Sequence, residues 1–133
     1  MDMLDAYVSY FERLSPETLN ELDALVTPDV RFKDPFNDLR GVADMRKAMA
    51  MAFDHGPPRF EVIDRARSDH AAYLLWRYTL GSGFVIEGMS EIRFAPDGRI
   101  SEHIDHWDSG TQLYMHVPVL GWLIRLVRNR FRI

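Results

Sequence analysis

The feature that most constrains this chain is a change of hydrophobic period close to residue 58. Before it, apart from a short alternating stretch at 30–34, apolar residues recur three and four apart; after it, up to about residue 108, they alternate with polar ones. Leu4, Tyr7, Val8, Phe11 and Leu14 predict a first amphipathic helix. Ser15-Pro16-Glu17 combines an N-cap serine, a proline suited to a first helical position and an acid in the first turn. A second helix is therefore expected through Leu19, Leu22, Leu25 and Val26, ended by Thr27-Pro28-Asp29. Val30, Phe32 and Asp34 alternate with Arg31 and Lys33, which predicts a strand stopped by Pro35. A third helix is marked by Val42, Met45, Met49 and Phe53 and closed by Gly56-Pro57-Pro58. Strands are then expected at 59–68, 71–81, 84–95 and 99–108, joined by Ser-Asp, Gly-Ser-Gly and Pro-Asp-Gly turns.

This order predicts an α+β fold, a cone-shaped and mostly antiparallel curved sheet wrapping N-terminal helices. No linker, repeat or low-complexity run divides residues 1–133, so one domain is expected, with 111–133 as a C-terminal helical extension. No apolar run approaches the ~20 residues a bilayer span requires. The start, MDMLDAY, has two acids and no basic segment, so a cytoplasmic location is the expectation. The absence of cysteine removes disulfides, thiolate chemistry and cysteine-held zinc. The net charge is −4, and Arg125, Arg128, Arg130 and Arg132 fall in the last nine residues, which leaves −8 for everything before them. An acidic body disfavours nucleic acid as a partner.

Asp34 is the first candidate for chemistry. Alternation puts it on the face of Val30 and Phe32, which points inward. A carboxylate there is either a general base in an apolar pocket or the cap of the turn Asp34-Pro35-Phe36-Asn37-Asp38. His103, Asp105 and Trp107 share one face of the last strand, where a histidine can tune or orient an aspartate or merely satisfy it. The pocket walls are expected from Leu74, Trp76 and Tyr78, from Ile86 and Ser90 on the next strand, and from Phe32, Phe36 and Met49. These side chains could equally be plain core. His106, Asp108 and His116 add metal-ligand types, but alternation puts His106 and Asp108 opposite His103 and Asp105, so no metal site is expected.

The stretch from Ser9 to Phe36, with Tyr10 and Lys33-Asp34-Pro35-Phe36, resembles the ketosteroid isomerase pattern, as does Ile92-Arg93-Phe94 through Asp97-Gly98-Arg99-Ile100 to Trp107. The resemblance implies the nuclear transport factor 2-like, or cystatin-like, fold. In that family an aspartate base works beside an oxyanion hole of a tyrosine and a protonated aspartate. By position Asp34 falls on the base and Tyr10 on the tyrosine, while Ser90 stands where the protonated aspartate would be. Val26 and Met49 replace tyrosines of that network. Gly98 through Asp105 is similar to the last-strand motif of the SnoaL-like polyketide cyclases, which implies acid–base work for Asp105.

Two classes of function fit these residues. One is a cofactor-independent isomerase, cyclase or hydratase acting on a small apolar molecule, with Asp34, Tyr10, Asp105 and His103 as catalytic groups. The other is a non-catalytic module that binds a small ligand or forms an interacting homodimer. In the tail, Leu120, Leu123, Ile124, Val127 and Phe131 make an apolar stripe beside Arg125, Arg128 and Arg132. That stripe is expected to cover its own cone or a dimer mate, or else residues 117–133 meet a membrane surface.

Overall fold

The computed structural model describes residues 2–81 and 83–133, apart from the side chain of His55. Helix α1 (Met3–Glu12) starts on Asp2, whose carboxylate accepts from the Asp5 backbone N–H at 2.8 Å. It buries Leu4, Tyr7, Val8, Tyr10 and Phe11. Each such fully buried side chain contributes on the order of 1.5–3 kcal/mol. A 3₁₀ turn (Leu19–Glu21), a single turn α2 (Leu22–Leu25), strand β1 (Val26–Lys33) and a short strand β2 (Asp38–Arg40) follow. Helix α3 (Val42–Met51) runs into a 3₁₀ turn (Ala52–His55). The meander is β3 (Arg59–Arg67), β4 (Ala72–Thr79), β5 (Val85–Phe94) and β6 (Ile100–His106). Helix α4 (Ser109–Gln112), a 3₁₀ turn (Tyr114–His116) and α5 (Pro118–Phe131) complete the chain.

The second helix is the main departure from expectation. Ser15 and Thr18 close a local turn instead of starting a helix, with the Ser15 N–H donating to Thr18 Oγ1 at 3.0 Å. Val26 and Thr27 are β-branched and precede Pro28, a context that favours extended backbone. Val26 accordingly joins β1 and pairs with Ile100. Pro28 falls where the β1–β6 register shifts, so the ladder loses no donor there. Strand β2 was not expected either; it is fixed from outside by the bidentate Arg31–Asp38 pair at 3.0 and 2.9 Å.

The six strands form one open sheet in the order β2-β1-β6-β5-β4-β3, antiparallel except for the β1–β6 pair. Irregularities between Val62 and Asp64, and between Arg93 and Phe94, break the ladders locally and bend the strands. The sheet thereby curves over α1 and α3. The Gly-Ser-Gly turn expected at 81–83 includes Ser82, which lies outside the described residues. Among the described residues no helix is long and apolar enough to cross a membrane.

Gly88 marks the tightest point of the sheet. It pairs with Trp76, and a Cβ built on it would lie 2.8 Å from the Trp76 ring, the Trp107 Cβ and the His106 carbonyl. Gly88→Ala is therefore expected to destabilise the fold by about 1–3 kcal/mol through overpacking, read as a lowered midpoint in urea unfolding.

Candidate functional site

Strand register brings three polar side chains, Ser90, Asp105 and His103, together inside the sheet. Ser90 faces Asp105 and Ile92 faces His103 across β5 and β6, while Leu74 faces Ser90 across β4 and β5. On the other side, parallel pairing sets Phe32 beside His103. His103 as a whole residue is only 2% exposed, and its ring is walled by Tyr7, Phe11 and Phe32, with ring centroids 5.6, 5.4 and 5.1 Å away. An imidazole buried in this way needs a partner at each nitrogen, because an unpaired polar atom in such a setting costs about 1–3 kcal/mol.

Both partners are present. Burial pushes the Tyr7 phenol well above its ordinary pKa, with the Asp105 charge adding to the effect, so its hydroxyl keeps its proton. It lies 2.6 Å from His103 Nδ1 and donates to it in a neutral ring, because the carboxylate at the other nitrogen can only accept. The imidazole proton then belongs on Nε2, which lies 2.6 Å from Asp105 Oδ1. A second arm reaches the same oxygen. The Trp76 indole N–H donates to Ser90 Oγ at 2.8 Å, and the Ser90 hydroxyl donates to Asp105 Oδ1 at 2.5 Å. Two chains of donors thus end on one carboxylate oxygen, and among the described residues none ends on Oδ2.

Asp105 is the end of this network that meets solvent. Its side chain is 19% exposed, against 3% for His103. It lines an open cleft of about 500 Å³ with Lys33, Asp34, Pro35, Ile104, His106 and Trp107. Phe36 and Tyr114 extend the aromatic rim, Phe36 lying 5.7 Å from Trp107 and 6.2 Å from Tyr114. Asp108, at the cleft edge, caps α4. Its carboxyl is held below the usual range by the Thr111 hydroxyl and then by the Thr111 backbone N–H.

The other candidate residues are distributed as follows. Asp34 lies at the cleft with Asp105, just beyond the end of β1. Its Oδ1 accepts from the Phe36 and Asn37 backbone N–H groups at 2.8 Å each, which is the turn-cap arrangement. Tyr10 is not brought to either aspartate. Its hydroxyl donates to the Leu19 carbonyl at 3.0 Å and faces a separate depression lined by Arg13, Glu21 and Leu25. Phe32, Met49, Leu74, Trp76 and Ile86 are buried in the core and do not line the cleft; Tyr78 is half-buried at the core's edge. Ser90 is buried inside the network, and Trp107 is half-buried on the cleft wall. Among the described residues no group of three or more His, Cys, Asp or Glu is placed to hold a metal ion.

Tyr7 is the member that sequence reasoning passed over, because helical spacing absorbs it into the apolar stripe of α1. The available signal was its hydroxyl, since a buried tyrosine seeks a partner for its polar tip. Tyr7→Phe leaves His103 Nδ1 without a donor and is expected to cost about 1–3 kcal/mol in urea unfolding with the slope unchanged. An unchanged midpoint would remove Tyr7 from the network.

Comparison with known proteins agrees with this geometry at the level of fold. No curated protein matches the chain. A nuclear transport factor 2-like protein of unknown function from Cytophaga hutchinsonii is 11% identical, with a TM-score of 0.67 over 80% of this chain and 88% of that one. A proposed isomerase of the SnoaL-like family from Agrobacterium tumefaciens strain C58 is 16% identical, with a TM-score of 0.68 over 80% and 94%. A proposed ketosteroid isomerase from Kribbella flavida is 21% identical, with a TM-score of 0.64 over 80% and 75%. At these identities the likeness speaks for the fold alone. The SnoaL-like domain matches residues 7–103, a span that holds Tyr7, Trp76, Ser90 and His103, and the chain belongs to that family.

Proposed function

We propose that the cleft binds a small apolar molecule and that Asp105, braced by His103, performs acid–base chemistry on it without a cofactor. The observation that carries this is the convergence of two buried donor arms on Oδ1 of a carboxylate whose other oxygen is left to the cleft. The cleft volume falls in the range of small-molecule sites.

Asp105 Oδ2 would take a proton from a carbon next to a carbonyl, and the same carboxyl would return it to another atom of the substrate. That sequence gives isomerisation, and with bond formation or loss of water it gives cyclisation or dehydration. His103 and Ser90 fix the carboxylate's direction, which is the positioning contribution to such a step. Trp107 and Phe36 supply the apolar wall. Asp34 shapes the mouth through its turn, and its committed oxygen favours that role over the base.

Deuterium exchange into 2-tetralone, an apolar ketone with acidic C–H groups, tests this directly by NMR in heavy water. Asp105→Asn is expected to lower the exchange rate by about 10²–10⁴-fold. Asp34→Asn keeps the turn-capping oxygen and should leave the rate within a few-fold. Exchange no faster than buffer, or equal loss in the two variants, would contradict the assignment to Asp105.

A further inference from the structure

The C-terminal helix is oriented opposite to what its composition leads one to expect. Gly121, Arg125 and Arg128 fall at helical spacing on one face of α5, and that face meets the Tyr114–His116 turn. Gly121 is the helix's buried residue, and a Cβ on it would lie 2.1 Å from the Met115 carbonyl. The Arg125 guanidinium donates to the same carbonyl at 3.4 Å, and Arg128 reaches Met115 Sδ at 3.1 Å. The packing partner of α5 is the 3₁₀ turn Tyr114–His116, and no strand of the sheet packs extensively on it. Val119, Trp122, Leu123, Leu126, Val127 and Phe131 are all exposed, Val119 by 75% and Phe131 by 81%. With 3.6 residues per turn these side chains, with Arg130 among them between Val119 and Leu123, spread over about half the helix circumference, roughly twice the stripe that packing on one neighbour needs.

We infer that α5 is an interfacial helix that docks this end of the protein on an anionic membrane surface. Local charge favours this occupant over a second copy docked through the Leu75–Met89 patch of its sheet. Residues 109–133 contain four arginines and no acid. The exposed apolar patch on the outer sheet face, Leu75 and Met89, is flanked by Arg77–Glu87 and Arg93–Glu91 pairs at 3.1 and 3.3 Å. Those two acids are already matched, so this patch, on a body that carries −8 overall, offers the helix arginines no local excess of negative charge. Anionic headgroups do, while their acyl chains accept an apolar arc of this width. Trp122 lies beside Asn129 at the edge of the apolar arc, where an indole fits the boundary between headgroup and acyl chain. The segment leading into α5 packs by the cleft, through Tyr114 on Phe36 and His116 on Phe84 at 5.7 Å. Docking would therefore set the cleft mouth beside the bilayer, whether or not chemistry occurs there.

Flotation of the full chain with vesicles tests the inference. Vesicles with about a third phosphatidylglycerol should carry the protein at least tenfold better than phosphatidylcholine alone, and raised salt should weaken the binding. Arg130→Ala with Arg132→Ala, at positions that do not touch Met115, should weaken it by about fivefold per arginine. Leu123→Glu with Val127→Glu should abolish it while urea unfolding is unchanged, since both side chains are exposed. Equal partitioning into both vesicles would overturn the inference. So would a folded chain that floats with neither, or that forms a dimer which the glutamate variant splits.

Discussion

The structure depends on how a buried imidazole is satisfied. His103 sits among Tyr7, Phe11 and Phe32, where an unpaired nitrogen would cost more than most single contacts contribute. Tyr7 answers one nitrogen from α1, and Asp105 answers the other from two residues along β6. The helix is thereby tied to the sheet by a specific hydrogen bond as well as by apolar packing. The same tie sets the direction of Asp105. Because Ser90 and Trp76 approach that aspartate from β5 and β4, four separate elements determine where one carboxylate points.

Much of this was legible in the sequence because it follows from periodicity. The four meander strands lie within a residue or two of their expected bounds, and alternation placed His103, Asp105 and Trp107 on one face of the last strand. Ser90, Trp76 and Leu74 were likewise expected on one inner surface. What was not legible is which of these side chains touch. Trp76 and Ser90 belong to a hydrogen-bonded network in the core, and that depends on the pairing register rather than on spacing within a strand. Tyr7 was hidden for a related reason: helical spacing marks a residue as buried without saying what its polar tip meets.

The departures have physical causes that local pattern does not carry. Val26 sits on a helical stripe, yet pairing with Ile100 in the sheet outweighs the spacing, helped by Thr27 and Pro28. Asp34 has an inward register, yet it follows the last residue of β1, where the chain turns and its carboxylate is claimed by the Phe36 and Asn37 N–H groups. Both alternatives for Asp34 were open from the sequence, and its oxygens serve the turn. The amphipathic character of α5 was also plain, but not which face it turns inward. Gly121 decides that, since its missing side chain admits the Met115 carbonyl and draws the arginine face toward the protein.

The account stands on the protonation of His103. If Tyr7 donates to Nδ1 and the imidazole donates to Asp105, the ring proton is fixed on Nε2. Two-bond ¹H–¹⁵N correlation NMR of the imidazole reads this directly. A single tautomer protonated at Nε2, lost to averaging or changed in Tyr7→Phe, is the predicted result. A proton on Nδ1, or averaged shifts from two exchanging tautomers in the unmodified protein, would contradict it.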